Sequence, residues 1–225
     1  MDRDALRTHV HDLCRTARER GEPCDWFESL YRESEGEVDR VPWADGAPNP
    51  HFMVGMQLPG MPTGGRALVI GCGFGDDAEA LAEMGFTVTA FDVSRSAIDW
   101  CRRKHPNTKV RYEVGDVFEP PLRHRGAFDL VLEVYTLQAI PLPFRSAGFV
   151  PVAECVAPGG VLLAVMRGRD DDASLEIDGP PWPISRAECA AFQEEGLELE
   201  SWEDFLDDES PPNRRFRMVF RRPSN

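Results

Sequence analysis

Hydrophobic residues recur with two different periods along the chain, and the change comes near residue 66. In the N-terminal part the spacing is helical and predicts an amphipathic helix. Its apolar positions are Leu6, Val10, Leu13 and Ala17. Gly21-Glu22-Pro23 interrupts the pattern, and a second short helix is expected from Asp25, a suitable N-terminal cap. The segment from Val41 to Gly65 holds five prolines, which predicts a loop with little regular structure.

From Arg66 onward, short apolar runs alternate with helical stretches. Ala67–Ile70 is wholly apolar, as expected for a strand covered on both faces. Helices are predicted over Asp76–Met84 and Ser94–Lys104. Further strands are predicted over Thr87–Phe91, Val110–Val114, Phe128–Val134 and Val161–Met166. This regular alternation predicts a doubly wound, mostly parallel sheet.

The C-terminal part has a different pattern. Ser185-Arg186-Ala187-Glu188 has the composition of a capping box, which opens a helix. Two strands follow, Leu197–Trp202 and Phe216–Arg221, with no helical stretch between them, so they should pair antiparallel. The predicted α/β fold is therefore a mostly parallel, seven-stranded sheet that ends in an antiparallel hairpin.

Composition and charge narrow the classes of partner. The formal net charge of −14 counts against nucleic acid, which requires a basic face, and favours small-molecule substrates. No apolar run reaches the roughly 18–20 residues that span a bilayer, and the charged N-terminus has no apolar signal core. We therefore expect a cytoplasmic protein without a membrane partner. A monomer is compatible with the sequence, which leaves the oligomeric state open.

The cysteine and histidine spacings indicate neither a disulfide framework nor a metal centre. The six cysteines include no C-x-x-C pair, and the five histidines form no cluster with them. Free thiols and no metal are therefore expected.

The main chemical signal is the glycine-rich turn that follows the first strand. Gly71, Gly73 and Gly75, with Cys72 inside the turn, would let the backbone approach a ligand at the start of a helix. Dinucleotide enzymes place a further glycine where this chain has Asp76, and Asp77 follows it. Two carboxylates would repel a pyrophosphate but suit an ammonium and a sulfonium. The turn therefore favours S-adenosylmethionine over NAD.

An acidic residue ends the second predicted strand. Asp92 lies 17 positions after Gly75, where a carboxylate can accept hydrogen bonds from both ribose hydroxyls. Val93 and Ser94 follow it and are expected at the same edge, although Ser94 is also a candidate helix cap. Together with the glycine turn, Asp92 predicts a nucleoside-binding edge.

These features resemble class I S-adenosylmethionine-dependent methyltransferases over residues 66–165. More narrowly, the chain is similar to the thiopurine methyltransferase and halide/thiol methyltransferase group. The residues that carry this likeness are Val41-Pro42-Trp43-Ala44-Asp45-Gly46 with Pro48 and Pro50, Ala67-Leu68-Val69-Ile70-Gly71-Cys72-Gly73, and Asp92-Val93-Ser94-Arg95-Ser96-Ala97-Ile98. Members often read P-W-D-x-G in the upstream segment, and Asp45 is displaced by one position from that pattern.

The resemblance implies two regions and several contacts. Residues 1–65 would form a helical and loop extension that covers the active site, and residues 66–225 the donor-binding domain. Tryptophans of the extension, Trp43 and Trp26, would lie near the methionine moiety and the acceptor. The segment after the third strand would hold the adenine through Asp116 and Val117, with Phe118 stacked on the ring.

The acceptor side is predicted from aromatic residues and the end of the fourth strand. A sulfonium is attracted to aromatic faces by ~0.5–2 kcal/mol, and Tyr31, Tyr135 and Trp182 are candidates beside the two tryptophans. Glu133 is expected either to bind the methionine ammonium or to act as a base. Gln138 is a further candidate for the acceptor pocket.

Methyl transfer is an in-line displacement that mainly requires alignment and exclusion of water. Thiolates and halides need no protein base, whereas oxygen and nitrogen acceptors do unless they are already deprotonated. We therefore expect methyl transfer from S-adenosylmethionine to a small thiol or similar soft nucleophile. The alternatives are an O- or N-methyltransferase with Glu133 as base, a nicotinamide-dependent oxidoreductase, and a module that binds the donor without catalysis.

Overall fold

The structure, a computed structural model, describes residues 3–174 and 179–224 of the chain. The two predicted N-terminal helices are present as α1 (Arg3–Glu19) and α2 (Asp25–Ser34). The buried face of α1, which includes Val10 and Cys14, packs with Trp26 and Leu30 of α2 in one apolar cluster. This cluster fixes the N-terminal helices at one edge of the sheet.

The segment between Val41 and Gly65 was predicted to be a loop, but part of it is helical. It contains α3 (Pro50–Gly55), whose first turn is capped by the Asn49 side chain. Asn49 accepts hydrogen bonds from the amides of His51 and Phe52. Proline is favourable at the first helical position because its missing N–H would have no partner there. Because the segment is rich in proline, the helix start at Asn49-Pro50 was not recognised in the sequence.

In the described residues eight strands form the central sheet. Seven of them have the predicted topology, and the two-residue strand β6 was not predicted. The strands are β1 (Gly65–Ile70), β2 (Phe86–Asp92), β3 (Arg111–Val114), β4 (Phe128–Val134), β5 (Val156–Arg169), β6 (Ile184–Ser185), β7 (Glu198–Leu206) and β8 (Arg214–Arg221). Their order is β3-β2-β1-β4-β5-β8-β7, with the two-residue β6 paired to the end of β5. The first five strands are parallel, and β8 pairs antiparallel with both β5 and β7.

Helices cover both faces of the sheet. They are α4 (Asp76–Glu83), α5 (Arg95–Lys104), α6 (Leu142–Glu154), α7 (Arg186–Cys189) and α8 (Ala191–Glu194). The predicted capping box at Ser185 is present: its hydroxyl accepts from the Glu188 amide, and the Glu188 carboxylate accepts from the Ser185 amide. Helix α6 was not predicted. Pro143 lies in its first turn, where proline is tolerated, but Pro151 lies inside the helix, where proline is unfavourable. Burial of Phe149 and Val152 against the sheet offsets that unfavourable propensity.

The core consists of two apolar layers, one on each face of the sheet. Along β4, Leu130 and Leu132 face one layer and Val131 faces the other. All three are completely buried, which explains the continuous apolar runs of the parallel strands.

Other predicted features have the following outcomes in the described residues. The six cysteines are all free thiols, as predicted. Within residues 3–174 and 179–224, no group of three or more potential ligands could hold a metal ion. None of the helices in that part of the chain is both long and apolar enough to cross a bilayer.

Candidate active site

Two adjoining cavities lie at the carboxyl edge of the parallel strands. The first comprises about 630 Å³ of space, including its opening to solvent, and its lining includes Asp92, Val93, Asp116 and Val117. The second, of about 540 Å³ including its opening, is lined by the glycine turn and by residues of the loop before α3. Both cavities are lined by Tyr31, Trp43, Gly71, Val134 and Tyr135. We call these five residues the junction.

The glycine turn adopts a conformation that requires glycine at Gly71 and Gly73. Their φ angles are +60° and +53°, which side chains disfavour. A Cβ at Gly71 would lie 2.4 Å from the Thr136 hydroxyl oxygen, and one at Gly73 would lie 2.8 Å from the Tyr31 hydroxyl oxygen. The backbone therefore occupies space that no side chain could share, and the turn remains open towards the cavities. Cys72 and Gly75 line the second cavity.

The Asp92 carboxylate is buried beneath the first cavity. Its two oxygens accept hydrogen bonds from the amides of Gly73 and Ser94, both at 2.9 Å. Burial raises the pKa of Asp92 to about 6, although these two hydrogen bonds act in the opposite direction. Asp92 therefore ties the glycine turn to the start of α5 and still presents its carboxylate to the cavity.

The other residues predicted to contact the nucleoside are only partly brought together. Val93, Asp116 and Val117 line the first cavity, but Phe118 does not. Phe118 packs against the core layer instead, and its amide donates to the Asp116 carboxylate. Ser94 is buried outside the cavity, and its hydroxyl oxygen caps α5 by accepting from the Ala97 amide. Ser94 therefore acts as the helix cap, which was the alternative to contact with the nucleoside.

A wall of the first cavity comes from the N-terminal segment. It consists of Cys24, Phe27, Tyr31 and Trp43, which we call the N-terminal wall. The Trp43 indole N–H donates to the Tyr31 hydroxyl oxygen at 2.9 Å. Burial holds the pKa of Tyr31 well above its ordinary value. Both aromatic rings therefore have fixed positions at the junction.

Trp26 does not line either cavity, contrary to the sequence prediction. Its ring is buried behind the N-terminal wall, stacked on Phe27 at 3.9 Å and edge-on to Trp43 at 5.8 Å. Phe27 and Tyr31 lie four residues apart and share a helical face, whereas Trp26 is rotated away from it. Trp26 therefore supports the two residues that reach the cavity.

A carboxylate fastens the N-terminal wall to the sheet edge. Glu28 of α2 accepts from the Ser94 hydroxyl at 2.7 Å, the Ser96 amide at 3.0 Å and the Ser96 hydroxyl at 2.7 Å. These hydrogen bonds outweigh burial and lower the pKa of Glu28. The wall is thus attached to the first turn of α5, directly after Asp92.

The two acidic residues that open α4 are both partnered. Asp76 forms an ion pair with the Lys104 ammonium at 2.6 Å, and Asp77 accepts from the Asn49 amide at 2.7 Å. Burial raises the pKa of Asp77 to about 6. Both residues line the second cavity, where the Lys104 ammonium balances the charge of Asp76.

Glu133 lies outside the lining of both cavities. One of its oxygens accepts from the amides of Thr136 and Leu137, at 2.9 and 2.8 Å. The other oxygen is buried and has no hydrogen-bond partner among the described residues. Burial raises the pKa of this carboxyl to about 8. Because side chains alternate along a strand, Val134 faces the junction and Glu133 faces the opposite side, where it caps the turn after β4.

Tyr135, a candidate acceptor-side residue, lies at the junction. Its backbone has a positive φ of 61°, and the Arg215 guanidinium lies over its ring at 4.7 Å. Burial raises the pKa of its hydroxyl, and the charge of Arg215 only partly opposes this. The Tyr135 hydroxyl is therefore neutral at physiological pH.

Gln138 and Trp182 were also predicted in the acceptor pocket, and neither lines the cavities. Both are buried. The Gln138 side chain accepts from the Arg167 amide, and its backbone carbonyl accepts from the Trp182 amide at 2.8 Å. These contacts join the turn after β4 to the end of β5, so both residues are structural supports.

Several lining residues were missed in the sequence. In the first cavity they include Cys24, Phe27, Ala139 and Ile140, and in the second they include Asn49. Phe27 and Tyr31 share a helical face, which was a usable signal. The short helical turn Leu137–Ala139 has no sequence pattern that would have indicated its place at the cavity.

Comparison with known proteins agrees with this geometry. Residues 67–160 match the family described as Methyltransferase domain. The chain is 29% identical over 162 residues to "Probable thiol methyltransferase 2" of Arabidopsis thaliana, which covers 69% of this chain and 68% of that protein. It is 34% identical over 114 residues to a ubiquinone biosynthesis O-methyltransferase of Aromatoleum aromaticum, covering 50% and 48%.

A solved structure gives the same result for the fold. It comes from work on the conversion of a disulfide bond into a thioacetal group during echinomycin biosynthesis. The TM-score is 0.71 with 25% identity, covering 90% of this chain and 94% of the other. The sheet order and the domain match define a class I methyltransferase. The chain is an S-adenosylmethionine-dependent methyltransferase.

Proposed function

We propose that the first cavity receives the adenosine part of S-adenosylmethionine and the second its methionine part. The glycine backbone at Gly71 and Gly73 leaves room for the donor, and Asp92 offers carboxylate oxygens at the depth of the ribose. Asp77 supplies negative charge near the methionine ammonium, beside Asp76, whose carboxylate is paired with Lys104. When bound, the donor supplies a methyl group activated by its sulfonium.

The junction is then the place of methyl transfer. The sulfonium connects the adenosyl and methionine parts, so it should lie where the two cavities adjoin. Tyr31, Trp43 and Tyr135 would surround it with aromatic faces, which attract a cation by ~0.5–2 kcal/mol. Residues 1–65, through the N-terminal wall, are proposed to cover this point and exclude water.

We propose a thiol or similar soft nucleophile as the acceptor. The observation that carries this proposal is the composition of the junction. Its five residues include no carboxylate and no imidazole, and burial raises the pKa of both tyrosines. An acceptor that needs no protein base is favoured at such a site. The similarity to a thiol methyltransferase supports the same choice.

Glu133 has a positioning role in this proposal. Its carboxyl caps the turn that carries Thr136, and it lies away from the junction. It therefore holds Tyr135 and Thr136 in place and neither removes a proton from the acceptor nor binds the methionine ammonium.

An acceptor series with one ring and three nucleophiles tests the proposal. 4-Methylthiophenol, 4-methylphenol and 4-methylaniline are offered with S-adenosylmethionine, and formation of S-adenosylhomocysteine is measured. Sulfide, thiocyanate and iodide extend the series to small soft nucleophiles. We expect turnover of the thiol with little or none of the phenol and the amine. Faster turnover of the phenol or the amine would reject the sulfur assignment and leave the donor assignment intact.

A further inference from the structure

Two arginines lie directly opposite each other in the last residue pair of the β5–β8 ladder. Arg167 of β5 pairs with Arg215 of β8 in the antiparallel register. Side chains opposite each other in such a pair point to the same face of the sheet and lie close together, and like charges there are unfavourable. The arrangement therefore needs compensating negative charge.

Arg215 has that compensation within the protein. Its guanidinium donates to the carboxylates of Asp207 and Glu209, each at 2.6 Å, and it lies over the Tyr135 ring. Arg215 and Asp207 are both buried. The positive charge of Arg215 is therefore balanced, and its donors are already in use.

Arg167 has no such compensation. Its guanidinium makes no hydrogen bond or ion pair with any residue in the described part of the chain, although its backbone amide donates to Gln138. The side chain is half-buried. Burial first, and then the charges of Arg215 and Arg7, lower its pKa, while Glu209 and Tyr135 oppose the effect. Arg167 is thus an unpaired cation opposite Arg215, whose guanidinium lies over the ring of the junction residue Tyr135. Arg167 lines neither cavity itself, so a group bound to it would lie beyond Tyr135 as seen from the junction.

We propose that Arg167 binds a negatively charged group, a carboxylate in particular, on the methyl acceptor. This rests on the proposed function of the junction and adds to it the chemical class of the acceptor. A guanidinium binds a carboxylate through two parallel hydrogen bonds. Binding there would neutralise the repulsion between Arg167 and Arg215. The nucleophilic sulfur would extend from the Arg167 side towards the junction, past Tyr135.

Paired acceptors that differ only in charge test this inference. We compare 4-mercaptobenzoate with 4-methylthiophenol in the wild type, Arg167→Met and Arg167→Lys. Arg20→Gln is the control, because this exposed arginine directly follows α1, and the helical rise of 1.5 Å per residue puts it ~20 Å from Arg7. Donor affinity and thermal unfolding of each variant establish that it is folded.

In Arg167→Met, kcat/KM for the carboxylate acceptor should fall ~10- to 100-fold, mainly through KM, and change less than ~3-fold for the neutral acceptor. Arg167→Lys should recover part of the loss, and Arg20→Gln should lose nothing. Equal effects on both acceptors, or no effect on either, would overturn the inference. If Arg167→Met does not fold, the same comparison is made with Arg167→Lys. A ratio of kcat/KM for the two acceptors equal to that of the wild type would then overturn the inference.

Failure of the proposed function gives a different result. If neither thiol is methylated by the wild type and a phenol is, the sulfur proposal is wrong. The pair 4-hydroxybenzoate and 4-methylphenol then replaces the thiols, and the same dependence on Arg167 decides the inference.

Discussion

Glu133 offers a quantitative test of the interior of this enzyme. Its carboxyl is completely buried, with one oxygen bound by two amides and the other without a partner in the described residues. Burial raises its pKa from 4.5 to about 8. The group is therefore neutral at pH 7, and Glu133→Gln replaces a neutral acid by a neutral amide of the same shape. The glutamine oxygen can accept from the same two amides.

The expected difference between the two proteins depends on pH. Between about 4.5 and 8 the unfolded state loses this proton while the folded state keeps it, so the wild-type free energy of unfolding falls as pH rises. A difference of about 3.5 between the two pKa values corresponds to ~5 kcal/mol at ~1.4 kcal/mol for each tenfold change in proton affinity. Below pH 4.5 the wild type has the full contribution, and above pH 8 the loss is complete.

Urea unfolding of both proteins between pH 5 and 9 measures this directly. The free energy of unfolding of Glu133→Gln minus that of the wild type should become more positive by several kcal/mol from pH 5 to pH 8.5. Glu19→Gln, at an exposed position in α1, should follow the wild type throughout. Parallel curves for Glu133→Gln and the wild type would show that the carboxyl is ionised at neutral pH, and the assignment of a neutral buried acid would be refuted.

Three further predictions concern the donor site. Asp92→Ala should weaken S-adenosylmethionine binding at least ~10-fold by calorimetry. The affinity of the wild type should fall as the pH drops below about 6, because the Asp92 carboxyl then gains a proton. An unchanged Kd in Asp92→Ala would contradict ribose binding by this residue. Gly71→Ala should abolish donor binding and lower the free energy of unfolding by ~2–4 kcal/mol, because its Cβ would meet the Thr136 hydroxyl. Gly126→Ala, at a φ of +57° with open space around it, should lose only ~1–2 kcal/mol, and equal losses in urea would show that φ alone matters. Trp43→Leu should weaken donor binding ~2- to 30-fold while Trp43→Phe retains most of it, and equal affinities of all three proteins would argue against an aromatic cover.

The fold could be predicted because its strongest signals are local. Parallel strands covered on both faces leave unbroken apolar runs such as Ala67–Ile70, and the absence of a helix between β7 and β8 leaves only antiparallel pairing. Helices α3 and α6 could not be predicted in the same way. Each is rich in proline, and each depends on contacts that spacing does not reveal, the Asn49 cap for α3 and buried Phe149 for α6.

In the candidate site, too, the features with local sequence signals could be predicted and those that depend on tertiary contacts could not. The glycine turn and Asp92 are defined by backbone conformation and strand ends, so their place at the cavities could be inferred from the sequence. Glu133, Trp26 and Gln138 are close to the cavities in sequence but point elsewhere. Their direction depends on strand parity or on rotation about a helix axis, and one residue of error reverses it. The unpaired Arg167 depends on the β5–β8 register, which only the structure supplies.

The N-terminal wall comes from residues 24–43, and the opposed arginines come from positions 167 and 215, so both lie outside the segment 67–160 that matches the methyltransferase family. The glycine turn and Asp92 lie inside it. Under the proposed function, the matched segment supplies the glycine turn and Asp92 for the donor, and the outer stretches add the aromatic cover and the proposed anion contact. Changes confined to positions 167 and 215 would then alter which acceptor is bound while the glycine turn and Asp92 stay unchanged.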